Sequence, residues 1–366
     1  MRVVQFFWPG AGRRLGLVLG DQLLDVTAVA PGLDSTYAAF AEAQRERLSL
    51  LDFLRERSQG APTLSYYSLL TASVSPDQAH LLPPLDHPDP YRTFLTGTGL
   101  THLGSMQSRN AMHADEARAD DSEGEESGKK ESARATPVVD DSAPITDSAK
   151  MFQRGIAGGK PTAGEIGEAP EWFYKGTGHA LRGPGDFLDV PDFARDGGEE
   201  PEIVACYVVG NDGTPVRLGF ALGNEWSDHP TEKLNYLYLA PSKLRTCAVG
   251  PELVVGGDFE EIELRCTVVR GQTLLYDSGP LYSGERHMCH SLRNLEDHHF
   301  KFPEHRRAGD VHLHFLGTSK LSFGERKWTY DTGDAIRIET TGFSAPLVNF
   351  VRREEPRRTP TRAREA

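Results

Sequence analysis

The run Ile203-Val-Ala-Cys-Tyr-Val-Val209 comes directly after the carboxylates of Gly197-Gly-Glu-Glu200-Pro-Glu202 and ends at Gly210-Asn-Asp-Gly. It is rich in β-branched and aromatic residues, too short for an ordinary helix, and bounded by turn formers, so it reads as a buried strand. Side chains two apart on a strand point to one face, which lets Glu200 and Glu202 converge on one point. Glu225, in Gly-Phe-Ala-Leu-Gly-Asn-Glu-Trp-Ser-Asp-His, comes after a second apolar segment and can join them from that strand's end. Three convergent carboxylates repel one another unless a cation holds them. A ligand set made only of oxygen suits Mg²⁺, Mn²⁺ or Ca²⁺ and does not suit zinc.

From about Glu171 to Val351 short strand patterns alternate with Gly, Pro and Asp turns: Glu202–Val209, Arg217–Leu222, Glu261–Val269, Val311–Leu316 and Ala335–Thr340. The clearest helical pattern there spans Glu285–His299. The expected class is α+β and β-rich. Residues 1–85 read as a small N-terminal α/β domain, with a hairpin turning at Gly20-Asp21 and helical spacing from about Ser35 to Arg57 that would bury Phe40, Leu48, Leu51 and Leu54. Pro83, Pro84, Pro88 and Pro90 mark the connection to a catalytic domain over 86–350. Within it, residues 114–145 are polar, charged and nearly free of large apolar groups, which predicts a mobile acidic insertion, and residues 351–366 predict a disordered tail. There is no internal repeat, Walker motif, Gly-x-Gly-x-x-Gly after a strand, or Gly-x-Ser-x-Gly.

The formal net charge is −13, which argues against nucleic acid or an anionic membrane as the main partner. No segment approaches the roughly 20 apolar residues of a membrane span. The first residues lack the long apolar core of a signal peptide. Cys206, Cys247, Cys266 and Cys289 show no C-x-x-C pairing and read as reduced thiols, so the expected location is cytoplasmic.

Several residues can complete a site around the carboxylates. Lys243 lies in a predicted loop before a turn at Gly250-Pro251; partly desolvated near a cation, it would have a lowered pKa and act as a base or an electrostatic stabiliser. Lys175 sits where the aromatic run Trp-Phe-Tyr meets Gly-Thr-Gly. Gly317-Thr318 ends a strand, where a hydroxyl and a free backbone N–H can hold a substrate carboxylate. His102 and His113 flank a helix-like stretch containing Arg109. His287, His290, His298 and His299 fall near the predicted 285–299 helix, but the sequence holds no His-Glu-x-x-His, and a second, zinc-type site has little support.

In order along the chain, Phe173-Tyr174-Lys175, Glu200-Pro201-Glu202-Ile203, Gly219-Phe220-Ala-Leu-Gly-Asn224-Glu225-Trp-Ser227, Lys243 before Gly250-Pro251, and Gly317-Thr318 resemble the motif series of the fumarylacetoacetate hydrolase superfamily. Thr96-Gly-Thr-Gly-Leu-Thr-His-Leu-Gly-Ser and Gly159-Lys-Pro-Thr-Ala-Gly-Glu-Ile-Gly-Glu are similar to a branch resembling bacterial 2-keto-3-deoxy-pentonate dehydratases. The third metal ligand of that family is usually Asp, and here it is Glu225. The resemblance implies a distorted β-roll, a homodimer, and Mg²⁺ held by Glu200, Glu202 and Glu225. It implies a small 2-keto acid as substrate, oriented by Lys175, Thr318 and Arg109. Lys243 would take the C3 proton or stabilise the enolate, and His113, or a water it activates, would protonate the departing hydroxyl. The expected reaction is dehydration of a 2-keto-3-deoxy sugar acid to 2-ketoglutarate semialdehyde. C–C hydrolysis of a β-diketo acid and non-enzymatic sugar-acid binding stay open as alternatives. For the hydrolase, the family's Ser-Ser-Arg-Gln-His resembles Ser108-Arg109-Asn-Ala-Met-His113, with the histidine two residues later.

Overall fold

The computed structural model describes residues 1–110, 146–355 and 360–366. Among these, the strands form one sheet of twelve and one of six. Ten strands of the larger sheet run in the order Thr63–Ser65, Gln22–Asp25, Gly12–Leu19, Arg2–Trp8, Cys247–Val255, Pro215–Asn224, Pro201–Val209, Val311–Phe315, Thr93–Gly99 and Glu171–Thr177, while His80–Leu82 pairs with Arg2–Trp8 and Leu181–Arg182 with Cys247–Val255. At its centre Pro201–Val209 pairs antiparallel with Pro215–Asn224, from Pro201 opposite Asn224 to Val209 opposite Pro215. This strand is buried on both faces, which explains its unbroken apolar run. Val204, Cys206 and Val208 enter a core with Leu15, Phe53 and Phe315. Ile203, Ala205 and Tyr207 enter a second core with Trp226, Cys266 and Tyr330. The six-stranded sheet, which includes Ile262–Arg270, Ala335–Thr340 and Leu347–Arg353, contributes Cys266, Ile336 and Ile338 to that second core.

The N-terminal segment is joined to the rest through the large sheet. Arg2–Trp8 pairs with Cys247–Val255, with Val3 opposite Leu253, and Val3, Leu15 and Leu54 share one core with Val249 and Leu313. The hairpin turns at Gly20-Asp21 as expected, with Leu19 opposite Gln22. The helical segment after Ser35 is broken in two. Thr36–Glu46 and Leu50–Arg57 are each capped by a serine, Ser35 and Ser49, and between them Arg47 takes a left-handed conformation with φ 59°. That break resets the helical phase, so Leu48 is 37% exposed and Phe53, rather than Leu51, joins Leu54 in the core. The predicted 285–299 helix is likewise shorter. Glu285–His287 is a single 3-10 turn, and the α-helix is Leu292–Phe300, started by the Ser291 cap. Residues 351–353, the first of the expected tail, belong to the Leu347–Arg353 strand, where Val351 pairs with Leu188. The expected insertion and His113 fall on residues 111–145, outside the described residues. No helix among the described residues is long and apolar enough to cross a membrane.

Candidate metal centre

Two glycines set the approach to the carboxylate strand. A Cβ on Gly197 would lie 1.9 Å from the Trp226 ring, and one on Gly198 would lie 2.1 Å from His229 Nδ1. Only with hydrogen at both positions can residues 226–229 pack against this segment. The next two side chains diverge. Glu199 turns into the protein and accepts from the Ser322 N–H at 2.6 Å, the Ser322 hydroxyl at 2.8 Å and the Tyr330 hydroxyl at 2.5 Å. Glu200 turns the other way, and Glu202, two residues on, joins it. Glu225 lies just past the end of the paired strand, where its N–H donates to the Glu200 carbonyl at 3.0 Å. Asn224 Oδ1 fixes the same corner by accepting from the Glu200 N–H at 3.2 Å. One carboxylate oxygen from each of Glu200, Glu202 and Glu225 lies within 4.8 Å of the others, and all three residues are buried.

Lys243 is the last residue of the short helix Leu239–Lys243, and not part of a loop. Gly250-Pro251 lies inside the Cys247–Val255 strand with a cis peptide bond. Lys243 Nζ donates to Glu200 Oε1 at 2.5 Å and to Glu225 Oε2 at 2.8 Å. It also stands 4.9 Å from the Phe173 ring centroid, a cation–π contact. Burial alone would lower its pKa, but Glu200, Glu225 and Glu232 together outweigh burial and raise it above the ordinary lysine value. The lowered value expected from the sequence is therefore reversed, because the neighbouring charges are carboxylates.

Lys175 is fully buried and engaged by protein. Its Nζ donates to Glu225 Oε1 at 2.7 Å and to the carbonyls of Glu225, Trp226 and Lys243 at 2.7, 2.9 and 2.9 Å. Four acceptors saturate an ammonium with three protons. Lys175 thus braces Glu225 and the Lys243 backbone, and no proton remains with which to orient a substrate as the sequence led us to expect. The backbone N–H beside Thr318 is not free either. Gly317, at φ +97°, donates it to Glu202 Oε2 at 2.7 Å. Thr318 lines the cavity, with its hydroxyl proton directed to the Lys320 carbonyl at 3.0 Å.

The carboxylates are unequal. Burial pushes Glu202 well above the usual range, and the negative charges of Glu225 and Glu200 push it further. Glu225 is raised by burial and by Glu200. Glu200, despite burial, is held well below its usual value by Lys243 and by its hydrogen bond with His229. Among the described residues no cationic side chain pairs with Glu202. A site of three buried carboxylates, one of them raised well above the usual range by burial and by the other two, fits a hard divalent cation held by Glu200, Glu202 and Glu225. No second group of three or more His, Cys, Asp or Glu is placed to hold a metal among the described residues.

A cavity of about 20 Å³ adjoins the carboxylates, lined among others by Thr98, Ser105, Arg109, Glu232 and Thr318. Arg109 is buried in its wall. Its Nη1 donates to both oxygens of Glu171, at 2.7 and 2.9 Å, and its Nη2 lies 3.0 Å from Glu232 Oε1. A wider groove of about 870 Å³, lined in part by Tyr66, Arg337 and Phe350, shares none of these residues.

No family model and no curated protein matches the sequence. Solved structures do match. A 2-keto-3-deoxy-D-arabinonate dehydratase complexed with magnesium and 2,5-dioxopentanoate superposes with a TM-score of 0.62 at 16% identity, covering 97% of this chain and 99% of that one. A fumarylacetoacetate hydrolase from Exiguobacterium antarcticum gives 0.55 at 16% identity over 97% and 100% of the two chains. This chain has the fumarylacetoacetate hydrolase fold. A maleylpyruvate hydrolase from Sphingobium sp. SYK-6 shares that fold, with a TM-score of 0.55 at 15% identity over 97% and 100% of the chains.

Within the fumarylacetoacetate hydrolase fold, three residues that the sequence did not single out stand beside the carboxylates. His229 Nε2 is 3.1 Å from Glu200 Oε1, Glu232 faces Arg109, and Glu171 anchors Arg109 from the other side. The signal for two of them was local. Asp228 caps the helix His229–Leu234 by accepting from the Thr231 N–H, and residues 229 and 232, one turn apart, share its face. Glu171 carried no such cue, since its partner lies 62 positions away in sequence.

Proposed function

We propose that this protein is a Mg²⁺-dependent hydro-lyase that dehydrates a 2-keto-3-deoxy-pentonate to 2-ketoglutarate semialdehyde, which is 2,5-dioxopentanoate. The observation that carries the reading is the buried triad Glu200, Glu202 and Glu225 with the Lys243 ammonium inserted between two of its members. The dehydratase of the same fold, complexed with magnesium and 2,5-dioxopentanoate, supports it. A divalent cation held by Glu200, Glu202 and Glu225 would supply the positive charge that makes the C3 hydrogens of a 2-keto acid more acidic. The chain's own residues do the rest. Lys243, kept as an ammonium by Glu200 and Glu225, balances the negative charge left when the C3 proton departs with the C4 hydroxyl as water. Thr318 contributes an acceptor hydroxyl to the cavity wall. Lys175 and His229 hold Glu225 and Glu200 in place, so the ligand oxygens are positioned before substrate arrives. Loss of the C3 proton and the C4 hydroxyl removes one water, and migration of the double bond toward C5 yields the aldehyde. The protein works in the cytoplasm as a homodimer on this reading.

The test is incubation with Mg²⁺ and each enantiomer of 2-keto-3-deoxy-pentonate, with formation of 2,5-dioxopentanoate monitored. Turnover of one enantiomer is expected. Failure on both, with magnesium demonstrably bound, would rule the reaction out.

A further inference from the structure

Glu232 is 1% exposed, and neither of its carboxylate oxygens receives a hydrogen bond from the described residues. It lines the same cavity as Glu200, Glu202 and Thr318. Its charge is balanced by Arg109, but Nη2 at 3.0 Å makes an ion pair without hydrogen-bond alignment, because that guanidinium is oriented by Glu171. Glu199 is equally buried and takes three donors from Ser322 and Tyr330. The fold thus satisfies one buried glutamate completely and leaves the other, at the cavity wall, with its acceptor sites open. Leaving a buried acceptor unmatched costs about 1–3 kcal/mol, and more for a charged group. An acceptor of this kind calls for a donor that the described residues do not supply. The cavity volume of about 20 Å³ admits about one water in the free protein.

We propose that Glu232 accepts hydrogen bonds from a hydroxyl of the substrate chain and so selects hydroxylated 2-keto acids over apolar ones. This rests on the 2-keto-acid reading of the same site. The triad, through its cation, fixes the keto-acid head, and Glu232 reads the substrate carbons beyond that head. A ligand with an alkyl tail would seal the carboxylate away from water with no donor in return. Sites built to receive a hydroxyl reject the analogue lacking it by large factors for this reason.

The experiment uses a matched pair that cannot be dehydrated because C3 bears no hydrogen: 3,3-difluoro-2-keto-3-deoxy-pentonate, which keeps both hydroxyls, and 3,3-difluoro-2-oxopentanoate, which has none. Binding to the magnesium-loaded protein is measured by calorimetric titration for wild type, Glu232→Gln and Glu232→Leu. Wild type should prefer the diol by at least about 100-fold, and both variants should lose at least about tenfold of that preference while holding the alkyl ligand within about twofold. An unchanged preference in both variants, or parallel loss of both ligands in both, overturns the role of Glu232 and leaves the 2-keto-acid reading intact. Failure of wild type to bind either ligand overturns that reading and the proposal with it.

Discussion

Two clusters of buried titratable groups sit on opposite faces of neighbouring strands, and they handle burial in opposite ways. On one face, three carboxylates converge, and two lysine ammonium groups hydrogen-bond to Glu200 and Glu225, while Glu202 takes only the Gly317 N–H among the described residues. On the other, His312 and His314 of the Val311–Phe315 strand, opposite Tyr207 and Ala205, meet His299 from the Leu292–Phe300 helix. His299 Nε2 is 3.0 Å from His312 Nδ1, and its ring stacks on His314 with centroids 4.4 Å apart. The Trp172 indole N–H donates to His299 Nδ1 at 3.2 Å, which places the proton of His299 on Nε2 and makes it the donor to His312. These rings are neutral, since burial and the neighbouring histidines lower His312 and His314 to about 3 and put His299 well below its ordinary value. On the first face Lys243 holds Glu200 below its usual value. The three histidine rings, with no opposite charge paired to them among the described residues, become packing elements. The carboxylate face therefore has the charged ligands a cation needs, although the histidine face holds residues more often associated with catalysis.

The largest expected effect breaks the carboxylate face alone. Glu202→Ala removes one of three oxygen donors, and Mg²⁺ affinity should fall by more than about 100-fold, beyond what loss of an outer-shell partner costs. Turnover should fall with it. His314→Gln, on the other face, should leave Mg²⁺ affinity within about twofold. Calorimetric titration of both variants decides the point, and equal losses would mean that the two faces are not independent.

The next effect concerns what the charged face costs to build. Lys175→Met removes the ammonium that Glu225 Oε1 and the carbonyls of Glu225, Trp226 and Lys243 share, leaving among the described residues only the Ser227 hydroxyl at Glu225 Oε1 and its carbonyl, and the Arg245 N–H at the Lys243 carbonyl. Breaking a buried pair from one side typically costs about 3–5 kcal/mol, and unfolding by urea should show a loss of this size. A variant as stable as wild type would show that water replaces the ammonium and that Lys175 is dispensable to the architecture.

The contrast also explains what could be read in advance. The triad was legible because its geometry is local: Glu200 and Glu202 are two apart at the start of a strand, and Glu225 directly follows the strand paired with it. The strands themselves were legible from their apolar runs. Ala335–Thr340 carries the bounds its sequence pattern predicts, and the other four lie within two residues of theirs. The role of Lys175 was not legible, because its four acceptors lie 50 to 68 positions away in sequence and three of them are backbone carbonyls that any residue supplies. Lys243 was misplaced for a similar reason: Ala-Pro-Ser-Lys looks like a loop, but it packs as a single helical turn that carries the ammonium inward. The histidine cluster draws on the Leu292–Phe300 helix and the Val311–Phe315 strand, with Trp172 from a third element, and no one segment announces it.

The smallest effect reads the neutral face through acid. Below pH 6.5, the ordinary histidine value, an unfolded chain takes up protons that folded His299, His312 and His314 refuse. The unfolded state then binds more protons than the native one, so stability falls as pH drops from 6.5 toward about 3. Each such histidine contributes a slope of about 1.4 kcal/mol per pH unit in that window. His314→Gln removes one titrating group while keeping a side chain able to meet the Thr96 hydroxyl, which now lies 2.8 Å from His314 Nδ1. Urea denaturation between about pH 4 and 5.5 should therefore show a pH dependence shallower than wild type by about 1.4 kcal/mol per pH unit. The offset at neutral pH, where all these rings are uncharged in both states, should stay small. An unchanged slope would mean that His314 is charged in the folded protein, and the distinction between a charged face and a neutral one would fail at that ring.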